Sequence, residues 1–276
     1  MQLRQEKFLM PNKKSCLEIQ LEIERAQDKL SRIKHIVRRN GCALQYVKNQ
    51  TPEICLAAVQ QDGYALQYVK NQTPEICLAA VDTFPRALEF VQNQTPEICL
   101  AAVKKDGWAI GYVETQTPEI CLVAVKQDGF ALSEVDIQTP KICLAAVQQS
   151  GEALKFVKNQ TSKICLTAIH ENIHALRYVQ KQTREICLTS VQQDKDSLQF
   201  VNTQTPEICL AAVKQCGIAL QHVLNQTPEI CIAAVQEDGF SIFFLLRIKP
   251  QRYVYMLFKK MEWHFSMFEL KLRRFV

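Results

Sequence analysis

Glycine is scarce, with 8 residues in 276, and that excludes collagen-like and glycine-rich classes. Long apolar runs are missing as well: 47% of the chain is hydrophobic, yet no stretch approaches the 18 or so residues of a membrane span. The opening residues, MQLRQEKFLMPNKKSC, place no apolar run behind their charges, so no signal peptide is expected. No G-x-x-x-x-G-K-[ST] loop is present to cradle phosphates, no G-x-S-x-G nucleophile elbow, and no paired-glycine fingerprint for nucleotides. With these go the commonest routes to an enzyme, and no catalytic residue, cofactor, metal or small-molecule substrate is expected. The apolar content is too high for disorder, and the length suffices to bury a core.

Charge is divided unevenly along the chain. Residues 1–40 carry +5, residues 41–240 carry −6 and residues 241–276 carry +6. Phosphate neutralisation supplies most nucleic-acid affinity, so a nucleic-acid binder would place its basic surface on its folded body. Here the body is acidic and only the ends are basic.

What the sequence has in abundance is itself. Thr51, Thr73, Thr95, Thr117, Thr139, Thr161, Thr183, Thr205 and Thr227 recur every 22 residues without an insertion, each opening a version of TPEICLAAVKQDGxALxYVxNQ. A degenerate unit at 29–50 keeps the phase through Gly41, Ala43, Leu44, Tyr46 and Val47. Within a unit, Thr51 is suited to cap a helix, Pro52 to its first position and Glu53 to the positive end of its dipole. The apolar run Ile54 to Val59 predicts a first helix touched on most sides. Asp62-Gly63 ends it, with the glycine expected to take a left-handed conformation, and Ala65, Leu66, Tyr68 and Val69 predict a second short amphipathic helix. Such a pair cannot bury enough surface alone, whereas stacked pairs share a core, so the expected fold is all-α, an α-solenoid of about ten two-helix repeats. A leucine-rich repeat is disfavoured because the apolar run after Thr-Pro does not supply L-x-x-L-x-L spacing.

The core AAV-x-x-(D)G-x-AL-x-(Y/F)V resembles the tandem helical repeat known as domain of unknown function four-one-one-six, over residues 29 to about 244. The resemblance implies a helical-repeat fold and implies no catalytic residues. That family is frequent in large DNA viruses of amoebae and in some bacteria, so the resemblance is compatible with a viral or bacterial protein acting in a host cell.

Residues 44–59 and 66–81 are identical, so sameness between units partly reflects duplication. Gln50, Gln72 and their seven equivalents could form an amide ladder, but copied sequence that never diverged is the simpler explanation. Nine of the 12 cysteines, Cys55 to Cys231, hold one repeat position. Equivalent positions in stacked helices lie roughly 10 Å apart, too far for disulfides, which need Cα atoms within about 7 Å, so these are read as small buried hydrophobes in a reducing compartment. Cys216, just before Gly217, is the cysteine expected to be exposed. His170-Glu171-Asn172-Ile173-His174 matches H-E-x-x-H, in which histidines one helical turn apart hold zinc. In this register, however, the histidines should straddle the end of the first helix. The N-Q-T sequons at Asn49, Asn71, Asn93, Asn159 and Asn225 are by-products of the repeat.

The residue after the turn glycine is variable: Cys42, Tyr64, Arg86, Trp108, Phe130, Glu152, His174, Asp196, Ile218 and Phe240. Three residues on, Gln45, Gln67, Glu89, Gly111, Ser133, Lys155, Arg177, Gln199 and Gln221 vary too. Positions i and i+3 share a helix face, and stacking would line them into stripes suited to recognition, with neutral drift as the alternative. Tyr64, Arg86, Trp108, Phe130, Glu152 and His174 are the candidate partner-binding residues. Three turns break the glycine rule, at Pro85, Ile173 and Lys195, and the 81–87 turn is expected to differ in shape because proline cannot take a positive φ.

The chain is thus divided into an N-terminal capping region (1–28), a repeat domain (29–244) and a basic aromatic tail (245–276). It is expected to be a monomeric, non-enzymatic, intracellular and cytoplasmic scaffold that binds a protein or peptide. The alternative is a peripheral membrane or nucleic-acid protein acting through residues 241–276, which hold 9 of its 22 aromatics. That tail could equally cap the last repeat or be a frameshifted end.

Overall fold

The computed structural model describes residues 16–238 and Ser241, with side chains from Arg25 onward except Ala26. The expectations for Phe240 and for the tail beyond Ser241 lie outside these residues. The described residues are all-α, an α-solenoid of 22-residue repeats, and none of their helices is long and apolar enough to cross a membrane.

Two compact units divide the chain, residues 1–115 and 116–276. In the first, α1 (Cys16–Arg39), α2 (Pro52–Gln61), α3 (Pro74–Thr83) and α4 (Pro96–Lys105) each lead into a six-residue 3-10 helix: Gly41–Tyr46, Gly63–Tyr68, Pro85–Phe90 and Gly107–Tyr112. In the second, α5 (Pro118–Gln127), α6 (Pro140–Gln149), α7 (Ser162–Glu171), α8 (Arg184–Gln193) and α9 (Pro206–Gln215) are followed by Gly129–Glu134, Gly151–Phe156, Ile173–Tyr178, Lys195–Phe200 and Gly217–His222, and then by α10 (Pro228–Glu237). Within each unit successive α-helices stack on one another, and the 3-10 helices stack as a second layer. The core lies between the layers: Ala58, Val59, Ala65 and Leu66 are fully buried, as are their equivalents in the next two repeats, whereas in the degenerate first repeat Ile36, at the position of Ala58, is exposed.

The caps explain the first helix. From Thr73 to Thr227, each threonine hydroxyl accepts the backbone N–H three residues on at 3.3–3.4 Å. Thr51 makes no such bond, and Ile54 N–H closes on the Thr51 carbonyl at 3.1 Å instead. Asp62 is extended (φ −151°, ψ 109°), which stops α2, and its carboxylate accepts from Tyr64 N–H at 3.0 Å, which starts the 3-10 helix.

The second helix is therefore tighter than the sequence pattern implied, and its glycine has another purpose. None of Gly41, Gly63, Gly129, Gly151 and Gly217 has a positive φ; a Cβ on Gly63 would lie 2.3 Å from the Ala80 carbonyl oxygen, and one on Gly151 would lie 2.4 Å from that of Ala168. Glycine is needed because the next repeat's helix passes within van der Waals contact of its α-carbon. Pro85 corroborates the absence of a left-handed turn. Its ring fits the first position of the same six-residue 3-10 helix, between a cap at φ −142°, ψ 92° and Val91 at φ −74°, ψ 115°, so the expected change of turn shape does not occur. Where Ile173 replaces glycine the following helix gives way: α8 packs less extensively on the preceding 3-10 helix than its counterparts do. Gly151→Ala is expected to cost about 2 kcal/mol in urea unfolding, as an overpacked backbone contact. A loss under about 0.5 kcal/mol, the size of a neutral surface change, would show the contact to be slack.

The glutamine ladder is structural, which overturns its reading as a relic of duplication. Gln94 Nε2 donates to the Leu88 and Tyr112 carbonyls at 3.2 and 2.8 Å, while its Oε1 accepts from Glu114 N–H at 3.0 Å and from the Cys99 thiol at 3.6 Å. Gln50, Gln72, Gln116, Gln138, Gln160, Gln182 and Gln204 repeat the carbonyl, N–H and thiol bonds with their own neighbours. Each amide thus spans the link after one 3-10 helix to the same link in the next repeat, pairing backbone groups that no regular ladder reaches.

Candidate functional site

Three-residue periodicity in a 3-10 helix eclipses positions i and i+3, so the variable residues after the glycine and those three further on project together from the second layer. In unit 1 this face carries Cys42, Tyr64, Arg86 and Trp108. Tyr64 and Trp108 are 43% and 36% exposed. In unit 2 it carries Phe130, Glu152, His174, Asp196 and Ile218, with Lys155, Arg177, Gln199 and Gln221 outermost.

These side chains are tied to the following repeat in two ways. Some reach its cap residue: Arg86 lies 3.8 Å from Asp106, the Asn172 amide donates to Glu152 at 3.4 Å, and the Cys42 thiol lies 3.6 Å from Asp62. Others reach the aromatic that ends its 3-10 helix. Tyr64 meets Phe90 edge-on with centroids 5.3 Å apart, Phe130 meets Phe156 at 6.1 Å, and His174 meets Phe200 at 5.2 Å. Lys155 Nζ sits 4.7 Å from both Phe130 and Phe156, and Arg177 sits 4.6 Å from Phe200. The structure therefore brings the candidates of each unit onto one face, and there they also stitch repeat to repeat.

Sequence reasoning missed a third row. The aromatic of A-L-x-Y-V reads as core, yet Tyr46 is 81% exposed and Tyr68, Phe90 and Tyr112 are half-buried. Its signal was that this position, unlike the invariant valine after it, also admits Glu134 and His222. Burial, together with neighbouring Cys42, Tyr64, Tyr46 and Asp62, pushes the Tyr68 phenol up, so its hydroxyl remains a donor.

The cysteines among the described side chains are free thiols; the nine at the repeat position, from Cys55 to Cys231, are buried, while Cys42 and Cys216 are half-buried. The ladder thiols do more than fill space, since each donates toward a glutamine oxygen at 3.6–3.9 Å from Cys55 to Cys209. Burial pushes their pKa up, as it does for Cys143, which is 3% exposed, and this keeps them in the donor form. In the H-E-x-x-H stretch, α7 ends at Glu171 and Asn172 is extended (φ −151°), so the two histidines do not occupy successive turns of one helix. His170 is exposed beside Glu171 at 3.5 Å, and His174 Nδ1 lies 3.3 Å from the Arg177 guanidinium.

The family model described as Domain of unknown function (DUF4116) matches residues 32–73 and 95–139, in agreement with the resemblance carried by the repeat core. No curated protein and no solved structure matches the chain.

Proposed function

We propose that a chain built from such repeats is a non-enzymatic scaffold inside the cell that binds a protein or peptide partner through the outer face of its 3-10 layer. One observation carries the reading: the core residues and ladder glutamines change little between repeats, whereas those on the outer face change chemical class, from Tyr64 to Arg86 to Trp108 and from Phe130 to Glu152 to His174. A preordered surface of this kind limits the entropy cost of binding, and its large aromatics are the residue types that anchor interfaces.

Affinity capture from cells with the intact chain and a Tyr64→Ala, Trp108→Ala, Phe130→Ala triple variant tests the reading. With helical circular dichroism unchanged, a partner should be held by the intact chain and lost, by tenfold or more, from the variant. Identical partner lists from the two would sink it.

A further inference from the structure

Unit 1 presents one aromatic per repeat in four consecutive repeats: Tyr46, Tyr68, Phe90 and Tyr112, each the last residue of its 3-10 helix. Tyr64 flanks the row, turned edge-on to Phe90, and Gln45 is exposed beside Tyr46. Charge is nearly absent from this layer. Its four 3-10 helices contain only Arg86 and Glu89, and Arg86 faces Asp106, whereas the five in unit 2 contain Glu134, Glu152, Lys155, Arg177, Lys195 and Asp196. Lys48, Lys70 and Glu114, exposed two residues after Tyr46, Tyr68 and Tyr112, border the row. A ligand complementary to the row itself therefore needs no charge, offers apolar faces to the rings, and supplies acceptors to the phenol donors and to the exposed Gln45 amide.

Spacing narrows the choice. Packed helices lie about 8–10 Å apart, so successive rings recur at about that interval. A polyproline II strand rises about 3.1 Å per residue with three residues per turn, and so presents the same face every 9.3 Å or so. Its backbone carbonyls are unpaired and its prolines lack N–H donors, the reverse of the donor-rich row. A flexible peptide has no fixed repeat to match and would lose more conformational freedom on binding. At its first end the row opens onto a groove of about 670 Å³ whose lining is mainly apolar, with Leu30, Ile36, Tyr46 and Val47 beside Lys29 and Lys48, and which can take an apolar residue beyond the last proline.

We infer that the partner segment read by unit 1 is an uncharged proline-rich peptide in the polyproline II conformation, laid across the rings of Tyr46, Tyr68, Phe90 and Tyr112 with one turn per repeat. This rests on the scaffold reading above and names the chemistry of its partner.

The test is fluorescence anisotropy of a labelled dodecaproline, four turns long, titrated with the full chain, beside a glycine-serine peptide of equal length. Dodecaproline is expected to bind, and the control and a six-residue oligoproline to bind at least tenfold more weakly. Tyr68→Ala should weaken binding about tenfold, the loss typical of an aromatic anchor, and Tyr46→Ala likewise. Because Tyr46 is 81% exposed, its replacement leaves the fold intact. Dodecaproline binding no better than the control, or unchanged by Tyr46→Ala, overturns the inference. If that happens while the captured partner is still lost from the Tyr64, Trp108, Phe130 variant, the scaffold reading stands and only the ligand class falls. Partner lists identical in both forms would remove the scaffold reading separately.

Discussion

Replacing Gln160 by alanine is expected to destabilise the second unit by about 3 kcal/mol, read from urea unfolding at pH 7. Its amide donates to the Leu154 and Tyr178 carbonyls at 3.3 and 2.9 Å and accepts from Gln180 N–H and the Cys165 thiol at 2.9 and 3.7 Å. Alanine removes these bonds together, and the cost of each group left unpaired away from water is about 1–3 kcal/mol, reduced here because the site is only part-buried. The loss falls where the fold is most sensitive, since a repeat protein is held by the interfaces between neighbours. Gln160→Glu separates hydrogen bonding from shape. A carboxylate keeps the acceptors but aims charge at two carbonyls, so it should destabilise at least as much at neutral pH and recover stability on acidification, when protonation restores one donor. Gln148, exposed on α6, is the control, and Gln148→Ala should change stability by less than about 0.5 kcal/mol. Had the ladder been copied sequence without a function, Gln160→Ala would match that control.

Why this ladder escaped sequence reasoning is instructive. Threonine caps, the proline after them and the apolar run from Ile54 are local signals, interpretable within one unit, and α2 through α10 start where those signals put them, with Pro replaced by Ser162 and Arg184 in two cases. Gln50, by contrast, bonds to Tyr68 and Lys70 across a full repeat. Such contacts leave no periodicity beyond the 22-residue phase itself, and near-identical copies provide no contrast from which to separate use from inheritance. Gly63 was misjudged for the same reason: its constraint comes from the Ala80 carbonyl of the next repeat, and the left-handed turn inferred from Asp-Gly was a local explanation of a non-local contact. The natural Pro85 was the available clue, because a residue fixed near φ −65° cannot stand in for a left-handed glycine. On the candidate face, the variable residues were found from sequence, but Tyr46 and Tyr68 were hidden inside a pattern that reads as core.

The same ladder predicts a steep loss of stability in alkaline solution. Burial pushes the thiols of Cys55, Cys77 and Cys99 in unit 1, and of Cys121, Cys143, Cys165, Cys187 and Cys209 in unit 2, above the ordinary value of 9.0. In the unfolded chain each ionises near that ordinary value, while in the fold each stays protonated and hydrogen-bonded. Stability from this source is therefore fully present below about pH 9 and is lost as pH climbs from there through the raised folded values. While the native thiols remain protonated, each contributes a slope of about 1.4 kcal/mol per pH unit, so unit 1 can lose at most about 4 and unit 2 about 7 kcal/mol per unit. Domains of this size have about 5–15 kcal/mol in total. Under reducing conditions the urea midpoint should thus change little from pH 7 to 8.5 and collapse between about pH 9 and 10.5. A Cys121→Ser, Cys143→Ser, Cys165→Ser, Cys187→Ser variant keeps a hydroxyl to donate to each glutamine but has nothing to ionise, and should retain only a small part of the alkaline slope of unit 2. Every other titratable group is common to both proteins, so the comparison cancels their contribution. A variant that falls as steeply as the parent would place the alkaline lability outside the thiols and leave the cysteines as filler in a ladder that the glutamines hold alone.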